Sequence, residues 1–355
     1  MRTSLMRAPY KTTSIAAAIG VAEAGLPGPS KVSVVLAHVP KKIKKSGPFS
    51  LSRVSVEYPY FSQLLNWIVQ EKIQELPDFS DDTKIAIMSD FGGEHQSARF
   101  YTYSFLFLAY DKIGPFEARV TQLREKYGLL EHYSEFAYKK LASGAKARAL
   151  PEYLELIDSF IHGALITIAV DKRIQTVFGP DKQQAQPIMV EELREKGLGE
   201  WAGPAAEKVL RVTNIIAAFA ALLTHENQKL LWYSDKDLIN EDGKKRDFRH
   251  TQQILGHTLG MYLPHKLAAV GFGKSFDKKT HLDDLLSVPD LAAGVVQDLL
   301  LQHETDEDIP GGEEKARVIR WIATPATHLA KITIQITRLA NGELGYGRVD
   351  MAVKG

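Results

Sequence analysis

Four acidic residues, Asp90, Asp235, Asp290 and Glu135, hold the positions from which carboxylates could converge on one point. Asp90 ends the apolar run Lys84-Ile85-Ala86-Ile87-Met88-Ser89 and precedes Gly92-Gly93, so it reads as a rigid carboxylate at a strand-to-turn junction. Asp235 ends a second such run, Lys229-Leu230-Leu231-Trp232-Tyr233-Ser234, and Asp171 ends a third, Ala164 to Val170. Asp290 follows Pro289, which suits a first helical turn, and would there face inward at a helix N-terminus where the dipole favours an anion. Each is also what an ordinary turn or capping aspartate looks like. Together, with Glu135 or Asp171 as the fourth member, they could serve two divalent ions about 4 Å apart, the arrangement that activates water and stabilises the leaving oxygen of a phosphodiester. Packed carboxylates without such an ion repel, so a true cluster implies metal or bound protons.

The elements that must position them follow an α/β order. The Asp90 strand is followed by an aromatic and β-branched run, residues 100–110, expected to pair with it antiparallel across Gly92-Gly93 and to be sheet core, not a base-stacking platform. Helical spacing covers residues 60–74, 114–127, 133–141, a segment opened by Pro151, 189–196, 205–224 and 248–259. Ala292, Ala293 and Gly294 would let the Asp290 helix, ending near residue 301, approach the sheet closely. Residues 316–323 suggest another helix, and 331–338 with 346–353 suggest a hairpin outside the core. The expected organisation is a basic leader over 1–81 with a strand at 31–38 and one helix, a main domain over 82–302, and a tail over 303–355 that begins with an acidic linker.

Composition narrows the chemistry. With 355 residues, 45% hydrophobic and 25% charged, the chain is that of a globular protein able to bury a large core. It has no cysteine, so thiolate metal sites and disulfides are excluded and a metal would be held by oxygen or histidine nitrogen, which favours Mg or Mn. His250 and His257 share a helix face but lack a third ligand, and no zinc site is assigned. There is no Gly-x-Ser-x-Gly elbow, no Walker loop and no Gly-x-Gly-x-x-Gly fingerprint. The net charge is +1, yet residues 1–60 carry nine Lys or Arg against Glu23 and Glu57. Lys41, Lys42, Lys44 and Lys45, expected on a turn or loop, are candidate contacts for nucleic-acid phosphate, although a solvated face is the commoner role of such a run. Residues 14–25 have a weakly apolar core interrupted by Glu23, which argues against export, and no stretch is long enough to span a bilayer; a cytoplasmic protein is expected, of unstated oligomeric state.

The segments Ser89-Asp90-Phe91-Gly92-Gly93 and Ser287-Val288-Pro289-Asp290-Leu291-Ala292-Ala293-Gly294 resemble the opening and closing motifs of a ribonuclease-H-like family, Asp-Glu-Ser-Gly and Gln-x-Ala-Asp-x-x-Ala-Gly. Phe91, Gly92 and Val288-Pro289 depart from that pattern. The resemblance spans roughly residues 82–302 and implies a ribonuclease-H-like mixed sheet flanked by helices, with N-terminal and C-terminal extensions. It further implies metal-dependent hydrolysis of RNA or DNA, with Asp90 and Asp290 on one ion, Asp235 and a helix-borne Glu135 completing the pair, and Lys139 or Lys172 on phosphate. The alternative it implies is a catalytically degenerate protein that binds nucleic acid or a protein partner.

Overall fold

A computed structural model describes residues 43–130, 135–141, 143–242, 245–275, 281–305, 312–339 and 342–351. The strand expected at 31–38, with Lys41 and Lys42, lies outside them. In chain order come β1 (Lys44–Ser46), α1 (Tyr60–Lys72), β2 (Glu75–Pro77), β3 (Lys84–Gly92), β4 (Phe100–Ala109), α2 (Gly114–Tyr127), α3 (Gly144–Phe160) and β5 (Gly163–Asp171). There follow α4 (Lys182–Glu195), α5 (Gly203–Leu223), β6 (Lys229–Ser234), α6 (Phe248–Tyr262), β7 (Ala269–Lys274), α7 (His281–Thr305), α8 (Glu313–Ala323), β8 (Leu329–Arg338) and β9 (Leu344–Arg348).

Seven strands form one mixed sheet in the order β7-β6-β3-β4-β5-β8-β9, and β1 pairs antiparallel with β2 in a separate ribbon. β4 runs antiparallel to β3 and β5, whereas β6 is parallel to β3, β7 to β6 and β8 to β5. The carboxyl ends of β3, β5, β6, β7 and β8 therefore share one edge of the sheet. Helices cover both faces, which explains the unbroken apolar runs of β3 and β5. Ile85 and Ile87 enter a core with α1, α4, α5 and α6; Ala86 and Met88 enter a second core with α2, α3, α7 and α8. Phe100, Phe105 and Phe107 of the aromatic run are fully buried, as sheet core, while Tyr101 and Tyr110 are half-buried. Gly93, at φ 84°, makes the exit from β3, where a Cβ would sit 1.9 Å from the Phe100 carbonyl oxygen.

Several expectations are corrected. The tail does not stand outside the core: β8 adds to β5 in register from Gly163↔Leu329 to Val170↔Ile336, burying Ile334 and Ile336 completely. Nor does the packed unit begin at residue 82, because Phe61, Leu64 and Ile68 of α1 are fully buried in the first core. Lys44 and Lys45 lie in a strand, not a loop, and are engaged internally: Lys44 pairs with Glu75 at 2.9 Å, and Lys45 donates to the Leu222 carbonyl at 2.5 Å. Pro151 does not open a helix but lies inside α3, which starts at Gly144. Residues 138–140 form only a 3-10 turn, so Glu135 sits on the extended segment before it.

Candidate carboxylate site

The site is built at the carboxyl ends of β3 and β6. Parallel pairing of Ser89 with Ser234 brings the next residues of the two strands, Asp90 and Asp235, side by side. Alternation along β3 puts Asp90 on the side of Ala86 and Met88, the side that α7 crosses. The Trp232 indole N–H donates to the Ser89 hydroxyl at 2.8 Å and braces the two strands from the opposite face. After β6, the Asn240 amide donates to the Asp235 carbonyl at 2.9 Å and to the Ser234 hydroxyl at 2.9 Å, fixing the turn that carries Asp235.

Asp290 comes from the middle of α7 and not from a helix N-terminus, so no helix-dipole term supports its charge. Pro289 removes one helical N–H, yet α7 continues through it. Its first turns are held by burial of Leu285 and Val288 and by a buried ion pair in which Arg124 Nε donates to both Asp284 oxygens at 3.0 and 3.2 Å. The Ser275 hydroxyl adds a 2.7 Å bond to Asp283.

Two hydrogen bonds attach the Glu135 segment to α7. The Phe136 N–H donates to the Ser287 hydroxyl at 3.1 Å, and the Tyr138 N–H donates to Asp290 Oδ2 at 2.7 Å. Ser287 and Asp290 are three apart on one helix face, so they grip alternate residues of an extended chain. The Phe136 ring stacks on Tyr153 at 4.1 Å, and the Tyr138 hydroxyl donates to Asp298 at 2.8 Å. Gly294 admits the Tyr138 ring, since a Cβ there would lie 2.2 Å from Tyr138 Cδ1.

Asp90, Glu135, Asp235 and Asp290 consequently line one cleft of about 50 Å³, together with Ala137, Leu286 and Ser287. Asp171 is not among them: it lies at the end of β5, buried and held by the Arg173 guanidinium. Sequence reasoning missed Ser287 and Tyr138 as the groups that position Glu135 and Asp290; the three-residue spacing from Ser287 to Asp290 was the available signal. Burial pushes the Asp90 carboxyl well above the ordinary range, and the charges of Asp290 and Asp235 push it further, against one hydrogen bond from the Phe91 backbone. Asp290 is pushed up to about 6, chiefly by burial; the Tyr138 N–H and the charge of Lys139 oppose the rise, while Glu135 and Asp235 add to it.

The donor chemistry of this set fits a hard divalent cation, with four carboxylates, of which Asp90 and Asp290 have a raised proton affinity that an ion would relieve. Among the described residues, however, no three such side chains are already placed as the ligands of one ion. Lys172 does not join the cleft; it donates to the His95 carbonyl at 2.7 Å and lines a cavity on the opposite face of the sheet. Phe91 and His250 are also accounted for. Phe91 projects to that opposite face against Tyr103 and Phe105, and His250 closes a capping box with Asp247 at the start of α6.

The sequence matches no protein-family model and no curated protein. Among solved structures, it is similar to a chain in the complex of PCNA and RNase HII from Archaeoglobus fulgidus, at 13% identity and a TM-score of 0.30, covering 68% of this chain and 89% of that one. That likeness is too distant to bear on function. No helix among the described residues is long and apolar enough to cross a membrane.

Proposed function

We propose that the protein hydrolyses phosphodiester bonds of RNA or DNA with the help of Mg²⁺ or Mn²⁺ at the carboxylate cleft, as a divergent ribonuclease-H-like enzyme. The observation that carries this reading is the meeting of Asp90, Glu135, Asp235 and Asp290 in one cleft, from four separate parts of the chain. Asp90 and Asp290 are the residues whose proton affinity is raised there, and these two would hold the first ion, with Asp235 and Glu135 completing the set. Divalent ions at such a site supply Lewis-acid stabilisation of the phosphodiester and lower the proton affinity of water.

The chain's own groups have definable tasks. β3 and β6 hold Asp90 and Asp235 at fixed separation, while Ser287 and the Tyr138 N–H orient the segment bearing Glu135 and the Asp290 carboxylate. Lys139, exposed beside Asp290, is positioned to meet a phosphate oxygen. Lys44 and Lys45, whose ammonium groups already have partners in the chain, are weaker candidates for that contact.

A second reading is a degenerate cleft that binds nucleic acid without cutting it. It is favoured by the lack, among the described residues, of three side chains already placed around one ion. End-labelled RNA and DNA oligonucleotides incubated with Mg²⁺ or Mn²⁺ separate the two. Hydrolysis that falls at least about 100-fold in Asp90→Asn, the size of loss typical of a lost electrostatic catalytic group, supports the enzyme. Oligonucleotide binding with no cleavage in either ion supports the degenerate protein instead.

A further inference from the structure

A larger cavity, of about 460 Å³, lies on the face of the sheet opposite the carboxylates and is within the size range of small-molecule sites. It lies at the same carboxyl edge of the sheet as the cleft, because the two are built from the same two pieces of chain. β3 sends Asp90 into the cleft and Phe91, on the alternate face, into the cavity. The turn after β6 likewise gives Asp235 to the cleft and Leu238 and Ile239 to the cavity. One strand end and one turn form the ridge between them.

That ridge is held firmly. Lys208, on the cavity wall, pairs with both Glu94 and Asp237, and Asp237 is near enough for its charge to act on Asp90 in the cleft. Asp237 also accepts from the Ile239 N–H at 3.0 Å, and Arg246 donates to the Leu238 carbonyl at 2.9 Å, which fixes the rim. Leu238 itself is 69% exposed and carries the apolar wall of Phe91, Ile174 and Ile239 out to the mouth.

The lining suits a base and its sugar better than a phosphate. Its acids are neutralised from within, Glu207 by Arg211 and Glu94 by Lys208, so the interior offers mainly apolar surface with polar groups at Gln175, Lys172 and the exposed Lys182. Apolar walls that take the ring, with lysines near the mouth for the backbone, are the general means of holding a single strand. A base within a duplex could enter only by leaving its stack and giving up its pair.

We propose that this cavity receives an unpaired nucleobase of the strand whose phosphodiester lies in the carboxylate cleft, across the ridge of Phe91 and Leu238, which makes single-stranded nucleic acid the substrate class. The proposal rests on the phosphodiesterase reading above and adds a base subsite to it. Fluorescence anisotropy in Mg²⁺ with the full chain carrying Asp90→Asn, so that the strand is not cut, tests it. The probes are short single-stranded RNA and DNA oligonucleotides, counterparts of equal length whose central bases are replaced by abasic sites, and blunt duplexes of the same sequence.

At least one single strand, RNA or DNA, binds at least about ten-fold more tightly than its abasic counterpart and than its duplex. Ala205→Phe, which adds a ring to the cavity wall, removes most of that preference while the fold, followed by circular dichroism, persists. Should this variant fail to fold, Leu238→Ser at the exposed rim weakens the base-bearing strand by about five-fold and leaves the abasic one unchanged. No binding of either single strand, equal affinity for the abasic strand, tighter binding of the duplex, or an undiminished base preference in the folded filling or rim variant overturns the proposal. Cleavage by the chain with Asp90 intact, followed in parallel, tests the phosphodiesterase reading separately: strands bound through their bases but left uncut in Mg²⁺ and Mn²⁺ overturn that reading and leave the base site standing.

Discussion

Asp290 is the residue at which the character of the cleft can be measured directly. Its carboxyl is pushed up to about 6 from an ordinary 3.8, so the native state of the metal-free protein binds this proton more tightly than the unfolded chain. Its contribution to stability is therefore fully present below pH 3.8 and is lost as the pH rises through about 6. Asp290→Asn cannot lose it and keeps an acceptor for the Tyr138 N–H. Chemical denaturation in EDTA should show the variant gaining on wild type across that window, reaching an advantage on the order of 3 kcal/mol at pH 8. A difference that does not change with pH would contradict the raised carboxyl. The convergence of Asp90, Asp235 and Asp290 was legible in the sequence because each follows or interrupts an apolar run that has to enter the sheet or pack on it. The preference for Glu135 over Asp171 rested on family resemblance, and the support of its segment by Ser287 and Asp290 could not be read because those hydrogen bonds join residues about 150 positions apart.

α7 begins earlier than its sequence suggests. Pro289 suggested a helix start, but the start is set eight residues earlier, where the Arg124–Asp284 ion pair and the buried Leu285 secure the first turns. A tertiary partner on α2 is invisible to local pattern. Arg124→Met leaves Asp284 buried without its guanidinium and should destabilise the protein by about 3–5 kcal/mol, measured by urea unfolding; a loss below about 1 kcal/mol would contradict the anchoring role. Gly294→Ala tests the contact between α7 and the Glu135 segment. The added methyl would overlap the Tyr138 ring and should cost about 1–3 kcal/mol. If the ring moves to make room, the bond from the Tyr138 N–H to Asp290 weakens, and the Asp290 carboxyl, followed by NMR, rises above about 6.

For the whole molecule, the mixed sheet with helices on both faces was readable from the order of apolar runs and helical periodicities. The limits of the packed unit were not. Residues 331–338 alternate as an exposed hairpin would, but Ile332, Ile334 and Ile336 form the face that covers the first core beside β5. β8 does close the expected hairpin with β9, but whether that hairpin stands apart or extends a central sheet depends on a partner more than 160 residues away. A chain cut after Thr324 exposes the edge of β5 and the apolar surface beneath β8, so it should lose cooperative thermal unfolding or aggregate. Cooperative unfolding at the wild-type temperature would restore the tail to the status of an appendage.

We propose that the cleft between β3, β6 and α7 holds Mg²⁺ or Mn²⁺ on its carboxylates. Calorimetric titration of Mn²⁺ into the full chain and into the double variant Asp90→Asn with Asp290→Asn tests it most directly. Saturable binding to wild type is expected, tightening as the pH rises through about 6, the value to which the Asp290 carboxyl is pushed up, and disappearing in the double variant. Equal binding in the two proteins, or no saturable binding to wild type, would contradict it.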